Sequence, residues 1–186
     1  MSAKRSLQDL ARLSAGELEE IFQQGKTPEF EKLAGWEFKG YNVPALAKLL
    51  GIKKFKKGFF QRGDESWGYN IPIYQNPIDQ PWRCQPVDHN PKRFGFYSVK
   101  PAASDGPENK EPGALILNYQ DGRNRPWEGS FLRDYLKQVD PDNEDLYLGK
   151  AYIALGPARI MPMFFILERD RKAPTEVTEK PELGGA

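Results

Sequence analysis

The sequence has one cysteine, Cys84, and one histidine, His89, among its 186 residues. A single cysteine cannot form an internal disulfide, so the chain is compatible with a reducing compartment. A structural zinc site takes about four thiolate or imidazole ligands, and one residue of each kind excludes such a site. We therefore predict no metal site.

These two residues also bear on cofactors and nucleophiles. His89 lies in CQPVDHN, a polar stretch with proline that is typical of an exposed turn. A lone histidine can ligate haem, and a Cys/His pair can supply a nucleophile when a third group orients the base. The exposed turn is the favoured interpretation, so no cofactor is predicted and haem is kept as the alternative.

An excess of one charge and long apolar runs are also missing. Lys plus Arg number 27 and Asp plus Glu number 26, a net charge of +1, so no long-range field attracts a polyanion and no nucleic-acid partner is expected. KKFKKGFFQR (53–62) interleaves lysines with aromatic rings, as proteins that bind single-stranded nucleic acid do, but lysines on strand edges also prevent edge-to-edge association of sheets.

No apolar run reaches about 18 residues, and the N-terminal stretch lacks the apolar region of a signal peptide. The expectation is therefore no membrane span and a cytoplasmic location.

Aromatic residues, by contrast, are plentiful. They make up 12% of the chain, with four Trp, eight Tyr and eleven Phe. Rings carry large apolar areas on stiff side chains, which suits a β core or a ligand cavity. The length favours one domain of ordinary size with a real core.

Hydrophobic periodicity predicts helices first and strands afterwards. Residues 6–24 have helical spacing, and Ser14 followed by Glu17 fits a capping box, which predicts two helices meeting near Ser14. PALAKLL (44–50) predicts a short helix. Alternation with a period of two predicts strands at 36–41, 54–61, 67–74, 93–99, 114–120, 131–139, 146–155 and 160–169.

The order of these elements predicts the fold class. Serial strands without helical patterns between the later ones favour an antiparallel sandwich or barrel. Four prolines in a polar stretch make 75–92 a long irregular connection, with one short strand near Trp82 as an option. Residues 101–113, PAASDGPENKEPG, read as a second long loop.

Two stretches resemble a known family. LAGWEFKG (33–40), followed by a short apolar turn and KFKKGFF, is similar to the GXWXG domain, although four residues rather than three separate the glycines. LRDYLKQVDPDNEDLYLGKAYI (132–153) and FFILERD (164–170) resemble the accompanying DUF4334 domain. The resemblance covers roughly residues 15–170. It implies a small lipocalin-like barrel to which no activity is attached.

Together these points predict a mainly β chain, a lipocalin-like antiparallel β-barrel of about eight to ten strands with short N-terminal helices. Residues 1–34 are expected to form a helical segment packed on the barrel, 35–171 the barrel and 172–186 a disordered tail. The rings of Trp36 and Phe38 are expected to plug one end.

Two carboxylates are candidate acid/base groups. Asp134 shares a strand face with leucines, so burial would raise its pKa; the alternative is a capped or salt-bridged aspartate. Glu168 and Arg169 end the last strand, where Arg169 offers a fork for a ligand carboxylate. The alternative is an ion pair at the sheet end, for example Glu168 with Lys150 or Arg133.

The predicted ligand-binding residues are aromatic or polar side chains that could line a pocket in the barrel or hold the ligand's polar end: Trp67, Tyr69, Asn70, Tyr119, Tyr135 and Arg169. For WGYNIPIY (67–74), plain core packing is the alternative. The ligand-binding candidates predict the binding of a small apolar, lipid-like molecule. One alternative is an enzyme, an isomerase or hydrolase acting on a lipophilic substrate in the same cavity. Another is an inert barrel that serves as a protein-interaction module. The sequence leaves open whether the protein is an enzyme, and also its oligomeric state.

Overall fold

A computed structural model describes residues 4–174, in which eight antiparallel strands form a closed barrel. Each strand pairs with the next along the chain, and β8 returns to pair with β1. The strands are β1 Trp36–Asn42, β2 Lys54–Arg62, β3 Glu65–Pro72, β4 Phe94–Pro101, β5 Leu115–Asn118, β6 Leu132–Gln138, β7 Leu146–Leu155 and β8 Ala158–Lys172. The predicted mainly β, lipocalin-like barrel is confirmed.

Short helices precede or interrupt the strands: α1 Leu7–Leu10, α2 Ala15–Gln24, α3 Phe30–Leu33, α4 Pro44–Leu50 and a 3₁₀ turn at Pro126–Glu128. The predicted break near Ser14 is present. The Ser14 hydroxyl accepts a hydrogen bond from the Glu17 amide, and the Glu17 carboxylate accepts one from the Ser14 amide at 2.8 Å. This capping box satisfies amides that would otherwise lack partners at the start of α2.

The first two helices pack on the outside of the barrel. Leu10 of α1 and Leu18 and Phe22 of α2 are fully buried in one cluster with Phe164 and Ile166 of β8. The outer face of β8 is therefore a second hydrophobic layer rather than a solvated surface.

One end of the barrel is closed. Leu33 of α3 enters the interior cluster, and Phe30 meets the ring of Phe59 edge-on. Phe38 lies inside this end with no exposed surface, in edge contact with Phe59 and Tyr147. Phe38 thus fills the interior, as predicted for one of the two rings.

The long loop 75–92 covers the outer face of β3. It makes one bridge back to the sheet, between Ile73 and Cys84, where a short strand was an option. The Lys54 ammonium group holds the loop by donating to the side chain of Asn76 and to the carbonyl of Gln80.

The predicted tail, 172–186, falls mostly on residues outside those that the structure describes. Lys172 is the last residue of β8. Within residues 4–174, none of the helices combines the length and the apolar character needed to cross a bilayer.

Candidate functional site

A cavity of about 280 Å³ lies at the end of the barrel opposite α3, beside α4 and the connection between β5 and β6. Its apolar walls include Leu46, Leu50, Phe55, Phe94, Leu132 and Phe165. At the mouth, Leu49, Ile52 and Phe131 are exposed apolar side chains that also line the cavity. Ligand pockets commonly measure about 300–1,000 Å³, so this one suits a compact molecule.

Lys57 forms the polar side of the cavity. It follows the alternation of β2, which turns Phe55, Lys57 and Phe59 inward, and Asn70 of β3 lies directly opposite it. Three oxygens surround the ammonium group. Nζ lies 3.0 Å from Asn70 Oδ1 and 3.2 Å from Asp134 Oδ2, and it donates to the Tyr119 hydroxyl.

Asp134 reaches the same point from β6. It pairs across the sheet with Leu117 of β5 and Ala151 of β7, so it faces the interior. Its Oδ2 also accepts a hydrogen bond from the Tyr119 hydroxyl at 3.1 Å. Oδ2 of Asp134 therefore contacts both the Lys57 ammonium group and the Tyr119 hydroxyl.

Burial controls the charges of this cluster. It lowers the pKa of Lys57 and raises the pKa of Asp134, while the attraction between the two opposes both changes. Burial also raises the pKa of Tyr119 well above its usual value, so this hydroxyl stays protonated at neutral pH and acts as a donor. Nζ of Lys57 further lies 4.6 Å from the centroid of the Tyr97 ring, a distance typical of a cation–π contact.

The hydrogen-bonding capacity of the cluster is nearly saturated. The three protons of Lys57 point to three oxygens. The two amide protons of Asn70 go to the Gly95 carbonyl and the Tyr119 hydroxyl. Tyr119 accepts two hydrogen bonds and donates one. The open position is Asp134 Oδ1, which accepts no hydrogen bond from residues 4–174.

This free oxygen has access to the cavity. In the described part of the chain, the fully buried polar side-chain atoms without a partner are Trp82 Nε1 and Arg93 Nε. Asp134 Oδ1 is not among them, and Asp134 lines the cavity. Its Oδ1 is therefore an acceptor that a bound molecule can reach.

Three residues proposed from the sequence meet at this site. Asp134, Asn70 and Tyr119 line the cavity and contact one another through Tyr119. Asp134 does lie on the face of Leu132 and Leu136, as the alternation predicts. Their roles toward a ligand stay predictions.

Two other proposed residues, Trp67 and Tyr69, lie on the outer face of β3. The pairing of Asn70 with Lys57 turns the odd-numbered residues of this strand outward, beneath the loop 75–92. The Tyr69 hydroxyl donates to Glu37 at 3.1 Å, and the Trp67 indole donates to Glu65. The predicted grouping of Trp67 with Tyr69 is right, but their expected inward direction is corrected.

Tyr135 and Glu168 also point away from the cavity. The ring of Tyr135 meets Tyr152 edge-on at 5.7 Å outside the barrel. Glu168 Oε1 accepts a hydrogen bond from the amide of Leu7 at 2.9 Å and so anchors α1. The ion pairs suggested for Glu168 are replaced by this contact, because Lys150 and Arg133 pair with other carboxylates: Glu19, Glu111 and Glu108.

Arg169 lies at the closed end of the barrel, away from the cavity. Its guanidinium group stacks 4.4 Å from the centroid of the Trp36 ring and pairs with Asp145 at 2.6 Å. It also donates to the carbonyls of Lys32 and Glu144. These partners join α3 and the β6–β7 connection to β8. The guanidinium group of Arg169 therefore binds other residues of the protein, and the predicted contact with a ligand carboxylate is corrected.

Lys57 was missed as a site residue. Lysines are rarely fully buried unless they are paired, and KKFKKGFF was read as an edge strand. The available signal was its position between Phe55 and Phe59 with a spacing of two, which places it on their face.

The remaining polar candidates lie elsewhere. Cys84, within the loop 75–92, is buried against the outer face of β3, and His89 is exposed in a turn. Across residues 4–174, no three His, Cys, Asp or Glu side chains are grouped in a way that would hold a metal ion.

No family model, curated protein or solved structure matches this chain.

Proposed function

We propose that the barrel binds a small, mostly apolar molecule in the cavity beside Lys57 and Asp134. The observation that carries the proposal is a cavity with apolar walls that meets one cluster of convergent polar groups. Small-molecule sites combine these two features, because the walls supply affinity and a few polar atoms fix the orientation.

The buried ion pair supports a role beyond packing. Taking two charges out of water is costly, and apolar residues of similar size are often neutral or stabilising in their place. A barrel that only needed filling would be served as well by apolar side chains at positions 57 and 134. The pair lies instead where it borders open space, with Asp134 Oδ1 unpartnered in residues 4–174.

The mouth of the cavity gives a second line of support. Leu49, Ile52 and Phe131 are exposed, and they come from two parts of the chain that meet at the opening, the end of α4 and the residue before β6. Apolar side chains grouped at an opening are typical of ligand entrances. The proposal also agrees with the resemblance to the GXWXG and DUF4334 domains, which implies a lipocalin-like barrel, and we place the activity in the cytoplasm.

An enzyme that transfers a proton in the same cavity, such as an isomerase, is the second candidate. The favouring observation is that Asp134 is buried with a raised pKa and one free oxygen, as a general base requires. We rank it below binding because the donors of Lys57, Asn70 and Tyr119 are already used within the cluster. They are not free to stabilise an oxyanion.

Native mass spectrometry of the purified protein tests the binding proposal. We expect a compact apolar compound to remain bound, or a panel of small lipophilic compounds to raise the melting temperature. Ala151→Leu should abolish the effect, because Ala151 lines the cavity. The matched control is Ala158→Leu, at an exposed position of β8.

If no compound is retained and no panel member shifts the melting temperature, the binding proposal is wrong. A barrel without ligand would then favour the interaction-module alternative. Turnover of a lipophilic ketone by the natural chain, lost in Asp134→Asn, would favour the enzyme instead.

A further inference from the structure

The polar cluster in the cavity selects for one kind of ligand group. Its donors are engaged internally, as the contacts of Lys57, Asn70 and Tyr119 show. What it presents to the cavity is an acceptor, Asp134 Oδ1, with no partner in the described chain. A ligand gains a hydrogen bond here only by donating one.

We propose that the ligand is an uncharged, compact, mostly apolar molecule with a hydroxyl group that donates to Asp134 Oδ1. This inference rests on the proposed function and adds the chemical class of the ligand. A hydrogen bond to an ionised acceptor is stronger than one between neutral groups, so one such contact orients a small molecule.

The charges of the site disfavour an anionic ligand. Lys57 and Asp134 neutralise each other at 3.2 Å, so the pair carries no net positive charge into the cavity. A carboxylate would approach the free oxygen of Asp134 and also Glu128, which lines the cavity. The ligand carboxylate would lose its hydrating water without gaining an unpaired cation as a partner, and burying such a charge in an apolar site is costly in free energy. Fatty-acid-like ligands are thus predicted to bind poorly.

A cationic ligand is disfavoured for a related reason. The Asp134 carboxylate at the inner end of the cavity is already paired with Lys57. An ammonium group beside Asp134 Oδ1 would add a second cation near Nζ of Lys57 among aromatic rings. A neutral hydroxyl makes the same hydrogen bond without burying a charge.

Isothermal titration of the natural chain with four probes of similar size tests the inference. The probes are 1-octanol, its isomer 1-methoxyheptane, octanoate and octylammonium. The alcohol and the ether have the same atoms, but only the alcohol can donate. We expect 1-octanol to bind about tenfold or more tightly than each of the other three.

The outcomes separate the inference from the proposed function. Equal affinity for 1-octanol and 1-methoxyheptane would overturn the hydroxyl assignment and leave apolar binding in place. Tightest binding of octanoate or octylammonium would overturn it in favour of a charged ligand. Binding of none of the four would remove both the inference and the proposed function.

A double variant that replaces both charged residues gives a second test of the hydroxyl assignment. Lys57→Met combined with Asp134→Leu removes the cluster while keeping the volume apolar. We expect this double variant to bind the alcohol and the ether within about twofold of each other, because the acceptor is gone. A preference retained in the folded double variant would show that another group holds the hydroxyl. The comparison of the four probes needs only the natural chain, so the test does not depend on the folding of a variant.

Discussion

Nζ of Lys57 and Oδ2 of Asp134 lie 3.2 Å apart, although their strands, β2 and β6, are four places apart around the eight-stranded ring. The ion pair therefore bridges the interior of the barrel. It ties opposite walls together, and it borders the cavity that we propose as the ligand site.

This arrangement predicts non-additive effects on stability. Lys57→Met or Asp134→Leu alone leaves a buried group without its partner, and we expect each to lower the free energy of unfolding by about 3–5 kcal/mol. The double variant should unfold within about 1 kcal/mol of the natural chain, or above it. Urea unfolding measures all four proteins. If each single variant lowers the free energy of unfolding by no more than the double variant does, the two residues are not energetically coupled.

The protonation of Asp134 predicts how ligand binding depends on pH. Burial raises the pKa of this carboxyl above its usual value of 3.8. The Asp134 carboxylate accepts a hydrogen bond from a hydroxyl best when it is ionised, so the affinity for 1-octanol should fall as the pH is lowered through this raised pKa. The affinity for 1-methoxyheptane should not fall over the same interval, because an ether cannot donate to the carboxylate and can only accept from the protonated carboxyl.

Titrations at several values from about pH 8 to about pH 4 check this prediction. Within residues 4–174, Lys57, Tyr119, Tyr97 and Glu128 are the other ionisable groups facing Asp134 or lining the cavity. Parallel pH curves for the two probes would assign the effect to one of these groups or to unfolding.

Gly68 and Tyr97 predict a steric effect. The two residues pair across β3 and β4, and a Cβ at Gly68 would lie 2.2 Å from the Tyr97 ring. Gly68→Ala must displace this ring, which also contacts Lys57, so we expect a loss of about 1–3 kcal/mol in the free energy of unfolding. Gly16→Ala is the control, because nothing lies within 4 Å of a Cβ there. Thermal unfolding should show that Gly16→Ala is neutral or stabilises the protein by up to about 1 kcal/mol. If both variants change the stability equally, the close contact at Gly68 is contradicted.

Arg169 predicts a structural rather than a ligand-binding role. Its guanidinium group uses separate nitrogens for Asp145 and for the carbonyls of Lys32 and Glu144 while stacking on Trp36. Lysine lacks this planar fork. We expect Arg169→Lys to destabilise the fold by about 1–3 kcal/mol and to leave the affinity for 1-octanol unchanged. Arg62→Lys, at an exposed strand end, is the matched control for chemical unfolding. Reduced affinity in the folded Arg169→Lys variant would return Arg169 to the ligand site.

Much of the fold could be predicted from local patterns. A period of two with rings and β-branched residues indicated all eight strands, and Ser14 with Glu17 located the break between α1 and α2. These signals are local, since they depend on backbone hydrogen bonds and on residues two to four positions apart.

The direction in which each strand faces was harder to predict. Trp67 and Tyr69 were expected inside because apolar faces usually point to the core. Here the loop 75–92 covers the outer face of β3, so the apolar residues of this strand are buried outside the barrel, while Gly68 and Asn70 face its interior. Lys57 was missed for a different reason. Its partner Asp134 lies 77 positions away in sequence, and only closure of the barrel brings the two side chains together.

Methyl NMR of the protein titrated with 1-octanol tests the central claim most directly. If the ligand occupies the cavity, the methyl resonances of Leu46 and Leu132, which line it, should shift. Those of Leu10 and Leu18, buried under the outer helices, should not. Shifts confined to the outer leucines, or no shifts at saturating 1-octanol, would contradict ligand binding inside the barrel.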